Sequence, residues 1–157
     1  MTQLNQVLTV AARQGNTEVL QEAIKQGADV NSKDEKGYTP LIIACYNHQP
    51  EAAKLLLDNG ADVNAADFGG NTALMGAAFK GYADIAKLLL EHGADIDRQH
   101  GNGGSALMFA TMFGRNELVK LLLDRGADKT ILDSRGLSVL DLAVQQGNEE
   151  AISLLAH

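Results

Sequence analysis

The tripeptide Gly-Ala-Asp occurs four times in this chain, and each copy begins 33 residues after the previous one. The glycines of the four copies are Gly27, Gly60, Gly93 and Gly126. A leucine triplet precedes three of the copies, at 55–57, 88–90 and 121–123. A constant period between about 20 and 50 residues is typical of stacked structural units that contact mainly their neighbours. The sequence therefore predicts a repeat solenoid.

The register divides the chain into five units of one domain, 1–157, in which the Gly-Ala-Asp glycine is unit position 27. The units are 1–33, 34–66, 67–99, 100–132 and 133–157. We expect the middle three to be full repeats. At unit position 13, for example, the first and last units carry the polar residues Arg13 and Gln145, where the three inner units are apolar. They are therefore predicted to be capping repeats, the last of them truncated, whose outer sides face water.

Each unit is predicted to hold two helices, and residues 34–66 state the pattern most completely. Thr39 is placed to cap a helix whose first residue is Pro40. Gly60 stands where a helix end needs a left-handed residue. The apolar residues of the two helices are predicted to share a buried side: Leu41, Ala44, Cys45, Leu55 and Leu56. In the first unit we expect helices over 2–14 and 17–26.

These features resemble the ankyrin repeat over the whole chain. The signature Thr-Pro-Leu is present at 39–41, and weaker forms begin at Thr72, Ser105 and Ser138. The resemblance implies an all-α solenoid of helix-turn-helix units joined by projecting β-turn or hairpin loops. It also implies that partner proteins bind the concave side, formed by the turn tips and the exposed sides of the first helices. The histidine that often follows Thr-Pro-Leu is replaced by Ile42, Met75, Met108 and Asp141, so we expect its hydrogen bonds to be absent.

Large apolar residues recur on the predicted concave side. Unit position 13, on the first helix, carries Arg13, Tyr46, Phe79, Met112 and Gln145. A row of exposed apolar side chains is unusual on a monomer and marks an interaction site, and aromatic residues and methionine are enriched at interface centres. With position 14 and the turn tips added, the residues predicted to bind a partner are Tyr38, Tyr46, Phe68, Phe79, Lys80, Met112 and Phe113.

The same side chains have a second interpretation, in which they pack against each other and the neighbouring units as part of the core. Helical rows of aromatic residues or methionine more often belong to a core than to a site. Phe109, at unit position 10 with Ile43 and Leu142, is predicted to be a core residue. Met75 and Met108 fit either interpretation.

Composition limits the classes of partner. The net charge of −7, from 20 acidic and 13 basic residues, disfavours nucleic acid. Cys45 is the only cysteine, which excludes an internal disulfide. No apolar run approaches the roughly 20 residues of a membrane span, and the first residues do not resemble a signal peptide. We therefore expect a cytoplasmic protein that binds no membrane, as a monomer, with a homo-oligomer as the alternative.

No motif predicts catalysis or metal binding. The histidines His48, His92, His100 and His157 are not spaced as metal ligands. Cys45 and His48, three residues apart, are only two of the four ligands that a structural zinc site needs. The repeated aspartates recur once per unit, which favours a role in building turns. We expect no cofactor and a non-catalytic protein–protein interaction module that acts as a scaffold, inhibitor or regulator. The alternative is a carrier or chaperone for haem or a small hydrophobic ligand in the same groove, with Tyr46 or His48 as a haem ligand.

Overall fold

The computed structural model describes residues 2–156, which form helices joined by turns and only isolated β-bridges. The helices within these residues are α1 (Gln3–Gln14), α2 (Thr17–Lys25), α3 (Pro40–Tyr46), α4 (Pro50–Asp58), α5 (Ala73–Lys80), α6 (Ala83–Glu91), α7 (Ala106–Met112), α8 (Asn116–Asp124), α9 (Val139–Gln146) and α10 (Glu149–Leu155). The two bridges pair Ala66 with Thr72 and Leu132 with Ser138. The predicted all-α fold class is confirmed.

The helix ends follow local chemistry. Thr39 Oγ1 accepts a hydrogen bond from the amide of Ile42 at 3.2 Å, and Pro40 occupies the first turn of α3, where its missing amide hydrogen costs nothing. At the other end of the pair, α4 ends at Asp58 and Gly60 adopts a φ of 92°, a left-handed conformation that glycine tolerates best. These predicted boundaries are confirmed. In the first unit, Thr2 and Gln26 are caps rather than helical residues.

The helices stack in two rows. The odd-numbered helices pack one against the next from α1 to α9, and the even-numbered helices do the same from α2 to α10. The buried leucines between the rows include Leu41, Leu56 and Leu89, all at most 1% exposed. Of the side chains predicted to share this core, Leu55 is only half-buried. Each unit thus buries its apolar side mainly against its own pair and the adjacent pairs, as the 33-residue period predicted.

Hydrogen bonds between turn tips hold the units in register. The amide of Phe68 donates to the carbonyl of Lys36 at 3.2 Å, and that of Gly101 donates to Gly69 at 3.0 Å. One unit further on, the amide of Ser134 donates to Asn102 at 3.0 Å. Because each bond joins consecutive tips, the tips form one connected edge of the solenoid.

The first residue of a tip accepts the amide hydrogens that fold the turn. Asp133 Oδ1 accepts from the amides of Arg135 and Leu137 at 2.9 and 3.0 Å. The bond from Leu137, followed by those from Arg135, lowers the pKa of the Asp133 carboxyl below its usual value. His100 occupies the equivalent place one unit earlier, where its Nδ1 accepts from the amide of Asn102 at 2.8 Å. An imidazole nitrogen therefore takes the place of a carboxylate oxygen as the acceptor in that turn.

Two of the residues that replace the ankyrin histidine provide acceptors of their own. Asp141 Oδ2 accepts from the amide of Ser138 at 2.9 Å, and Ser138 Oγ accepts from the amide of Asp141 at 3.1 Å. Met75 Sδ accepts from the amide of Thr72 at 3.4 Å. Without a histidine, the amide of the cap residue thus has a carboxylate acceptor in one unit and a weaker sulfur acceptor in another.

A search of residues 2–156 finds no helix with both the length and the apolar character that crossing a lipid bilayer requires.

Candidate partner-binding groove

Four side chains at the C-terminal ends of α3, α5 and α7 form a row across three units, which we call the aromatic stripe: Tyr46, Phe79, Met112 and Phe113. Tyr46 is 44% exposed and Phe113 is 45% exposed. Phe79 and Met112 are half-buried. The stripe thus keeps a substantial accessible apolar surface, although parts of it are covered by neighbours.

The rings of the stripe contact one another from unit to unit. The Tyr46 and Phe79 rings are stacked, with centroids 6.3 Å apart and an interplanar angle of 15°. Phe79 meets Phe113 edge to face at 4.5 Å. Such pairs contribute about 0.5–1.5 kcal/mol beyond the burial of area. The two interpretations of the sequence therefore both describe part of the geometry: the rings stabilise each other, and their outer faces stay open.

Three cations border the stripe. Lys80 Nζ lies 4.7 Å from the centroid of the Tyr46 ring, which is cation–π geometry. Arg115 Nε donates to the carbonyl of Phe79 at 3.0 Å. Arg13, from α1, lies beside Tyr46 in the lining of the groove. Within residues 2–156 none of these three side chains forms an ion pair.

The two aromatic residues at the predicted turn tips differ in their relation to the stripe. Tyr38 is half-buried and lines the same pocket as Tyr46. Phe68 is 73% exposed and lies against the preceding tip, where a Cβ placed on Gly37 would come within 2.8 Å of the Phe68 ring. Phe68 is not part of that pocket lining. The structure thus brings six of the seven predicted side chains to one face and leaves Phe68 at its margin.

A pocket of about 440 Å³ opens beside the stripe, over Gly76 of α5. Its apolar lining includes Tyr38, Ile43, Tyr46, Met75, Phe79 and Phe109. Met75 is 2% exposed and forms part of the floor. Phe109, which the sequence assigned to the core, is half-buried and lines this pocket, so that prediction holds only in part. The pocket itself was not predicted, although glycine at unit position 10 of the third unit was a visible break in an apolar series.

The histidine and cysteine side chains are engaged elsewhere. His48 Nε2 lies 3.0 and 3.1 Å from the two carboxylate oxygens of Asp84, and its ring stacks on Tyr82 at 4.1 Å. Cys45 is fully buried, and desolvation raises the pKa of its thiol to about 12. His48 does not line the pocket with Tyr46. Residues 2–156 contain no cluster of three or more acidic, histidine or cysteine side chains suited to a metal ion, and His157 lies outside them.

The repeated aspartates have the structural role that their register predicted. Asp62 Oδ1 accepts from the amide of Asn64 at 2.9 Å, and Asp29 and Asp95 make the equivalent bond to residues 31 and 97. Asp128 accepts in the same way from the amide and the hydroxyl of Thr130. These bonds, the one from the hydroxyl most of all, lower the pKa of the Asp128 carboxyl. These carboxylates fold the connection after each second helix.

A family model described as ankyrin repeats (3 copies) matches residues 8–100 and 95–157. The chain belongs to the ankyrin repeat family. This match confirms the resemblance drawn from the Thr-Pro-Leu and Gly-Ala-Asp motifs. Ankyrin repeats are protein-interaction modules.

Individual relatives match this ankyrin repeat chain over short segments. Protein phosphatase 1 regulatory subunit 27 of Homo sapiens is 43% identical over 47 residues, 30% of this chain and 30% of that protein. Protein phosphatase 1 regulatory subunit 12A of Mus musculus is 48% identical over 50 residues, 32% of this chain and 5% of that protein. The ankyrin repeat domain-containing protein oryK of Aspergillus oryzae is 43% identical over 47 residues, 30% of this chain and 8% of that protein. Each match thus covers less than a third of the relative.

Proposed function

We propose that this ankyrin repeat chain binds a partner protein through its concave groove and acts on that partner as a scaffold, inhibitor or regulator, without catalysis. The observation that carries the proposal is the aromatic stripe, in which Tyr46 and Phe113 are 44% and 45% exposed. The residues proposed to contact the partner are Tyr38, Tyr46, Phe68, Phe79, Lys80, Met112 and Phe113. Large aromatic anchors of this kind dominate the binding energy of many interfaces.

The mechanism rests on a preformed surface. The stripe is fixed by ring contacts between Tyr46, Phe79 and Phe113 and by the stacked helices below them. A rigid binding surface loses little conformational entropy on association, so more of the contact energy appears as affinity. We propose that the protein presents this surface as a monomer in the cytoplasm, with residues 1–33 and 133–157 as capping repeats.

The names of two relatives support a partner-binding role. Both are described as regulatory subunits of protein phosphatase 1, and each shares a segment of about 50 residues with this chain. Since each segment covers less than a third of this chain, the names support the class of function and leave the partner to be found by experiment.

A carrier of haem or of a small hydrophobic ligand is the second candidate function for the groove. The pocket over Gly76 has the volume and apolar lining of a small-ligand site. Of the two haem ligands considered, Tyr46 or His48, His48 has less support, because its Nε2 is already bonded to Asp84 and it does not line the pocket. A Soret band, or a ligand retained in native mass spectrometry, would favour this candidate.

The test compares two charge-matched triple variants. Tyr46→Asp, Phe79→Asp and Met112→Asp change unit position 13 in the three inner units. Lys54→Gln, Lys87→Gln and Lys120→Gln change exposed residues of the even-numbered helices in the same units. Each triple variant makes the net charge three units more negative. Each protein is used as bait in its native lysate, and retained proteins are identified by mass spectrometry.

We expect a partner that is retained by the wild type and by the lysine variant but lost with the stripe variant. Circular dichroism and the melting temperature of both variants establish that they are folded. A partner that the folded stripe variant still retains would contradict the proposal. The single variant Phe113→Asp, at a more exposed position, serves if the triple variant unfolds.

A further inference from the structure

Gly76 is a glycine that the backbone does not require. It lies inside α5, where glycine is less favourable than any residue except proline. The other inner units carry Ile43 and Phe109 at the same unit position, and the last unit carries Leu142. Since the fold accepts large side chains at this position, the effect of the glycine is to leave an open space above α5.

Gly76 forms part of the floor of the pocket, and the space left by its missing side chain is part of the pocket itself. An added Cβ at Gly76 would meet only Cδ1 of Tyr46, at 3.4 Å, which is ordinary van der Waals contact. The pocket above it holds about 440 Å³ and is walled by Tyr46 and Phe79 of the aromatic stripe and by Ile43. It is therefore an apolar recess of more than one side-chain volume, placed beside Tyr46 and Phe79 of the exposed row.

The rim of the recess is cationic although the chain as a whole is acidic. Arg13 lines the recess and Lys80 lies over the Tyr46 ring, and neither forms an ion pair within residues 2–156. Asp67 is the one carboxylate in the lining. Its Oδ1 already accepts from the amides of Gly69 and Asn71, both at 2.9 Å. With Arg13 and Lys80 against the single carboxylate of Asp67, the rim carries a net positive charge, which favours an anionic group on whatever enters the recess.

We propose that the recess over Gly76 receives one large apolar side chain from a segment of the partner protein, and that a carboxylate of that segment lies against Arg13 and Lys80. The proposal rests on the proposed function and names the chemistry that the groove recognises. An apolar anchor in a pocket at the centre of the contact, surrounded by polar groups, is the usual form of a binding hot spot. The nearby charges add specificity and speed of association.

A random 16-residue peptide library displayed on phage and selected on the intact protein tests the proposal. Enriched peptides are synthesised, and their affinities are measured by fluorescence anisotropy for the wild type and four variants. Gly76→Leu fills the recess with the residue that stands at position 142. Lys80→Glu reverses a rim charge, and Lys87→Glu, on the exposed side of α6, is its charge-matched control. The fourth variant is the Tyr46, Phe79 and Met112 to Asp triple described above.

We expect the enriched peptides to share one leucine, methionine or phenylalanine with an aspartate or glutamate within a few positions. Their affinity should fall about 10-fold or more with Gly76→Leu and about 5-fold with Lys80→Glu, and stay within about 2-fold with Lys87→Glu. Gly76→Leu should keep or raise the melting temperature, since leucine is the better helix former.

Three results would overturn the inference while the proposed function stands. The first is unchanged affinity in Gly76→Leu together with loss in the stripe variant, which places the peptide on the groove outside the recess. The second is a library without enriched peptides, and the third is a small molecule that native mass spectrometry finds in the recess. Equal binding to the wild type and the folded stripe variant would contradict both this inference and the proposal that partners bind the concave surface.

Discussion

Leu107 and Leu140 stand 33 residues apart at the same position of consecutive units, yet Leu107 is 1% exposed and Leu140 is 41% exposed. Leu107 is the second residue of α7 and belongs to the buried core, whereas Leu140 is the second residue of α9, in the last helix pair, and does not. The same residue in the same local structure therefore has two environments, which makes the pair a matched test of burial.

Leu107→Ala should lower the free energy of unfolding by about 2–5 kcal/mol, because it removes apolar contacts and leaves a cavity. Leu140→Ala should cost less than about 1 kcal/mol, since much of its side chain is already in water. Urea denaturation followed by circular dichroism measures both. Similar losses in the two variants would show that the last pair is covered in solution, for example by a second copy of the chain.

The reciprocal cap at the start of α9 gives a second prediction. Asp141→Ala should lower the free energy of unfolding by about 0.5–2 kcal/mol, because the amide of Ser138 loses its acceptor. Met75→Leu is the comparison, since it removes a weak sulfur acceptor with little change in volume and should cost less than about 1.5 kcal/mol. The same urea titration checks both, and a larger loss in Met75→Leu would contradict the assignment of the caps.

His48 adopts a φ of 54° and is the one non-glycine residue within residues 2–156 with a positive φ. The equivalent residues of the other units are Gly15, Gly81, Gly114 and Gly147. His48→Ala keeps the strained conformation and loses the Tyr82 and Asp84 contacts, so it should cost about 1–2 kcal/mol. His48→Gly relieves strain of about 1–2 kcal/mol and should be close to neutral. Thermal and urea unfolding of the pair measure the difference, and a glycine variant less stable than the alanine variant would refute it.

The Cys45 thiol should be protected in the folded protein. Its pKa of about 12 reflects complete burial, and only the thiolate reacts with disulfide reagents. At pH 8 the reaction with DTNB should be at least ~100-fold slower than in denaturing urea, because it requires opening of the structure. Cys45 is the only cysteine, so the signal has a single source. Rapid labelling under native conditions would contradict this prediction and would show that α3 often opens to solvent.

The burial of the Cys45 thiol also determines how the stability of the folded protein changes at alkaline pH. The folded pKa is raised above the usual value of 9.0, so the folded state prefers the neutral thiol. The stability that this preference gives is complete below pH 9 and declines as the pH rises towards 12, because the unfolded chain loses its proton first. Cys45→Ala should remove this part of the alkaline decline, as measured by urea denaturation between pH 8 and 11.

The repeat register made most of the fold predictable, because each motif determines where a helix begins or ends through interactions close by in the chain. Thr39 and Pro40 begin a helix, and Gly60 follows one, through interactions within a few residues of the chain. The acceptors that Met75 and Asp141 offer to the cap amides in place of a histidine were not predicted, because the motif names only the histidine. Side-chain geometry, rather than the motif, decides that point.

The candidate groove was predictable in outline and less so in detail. Unit position 13 identified Tyr46, Phe79 and Met112, because equal positions of stacked units share a face. The contact of His48 with Asp84 and the recess over Gly76 depend on side chains from neighbouring units, whose mutual distances no single-unit pattern contains. The signal for both was nonetheless in the register, as a non-glycine at position 15 and a glycine at position 10.

The hydrogen bonds between consecutive turn tips restrict the form that a partner can take. The amides of Phe68, Gly101 and Ser134 already donate to carbonyls of the preceding tips. An extended segment that pairs with a sheet edge needs a row of free amide and carbonyl groups, and these three amides cannot supply it. We therefore expect recognition at these three tips to depend on side chains more than on strand pairing, so that the identity of the exposed residues selects what binds.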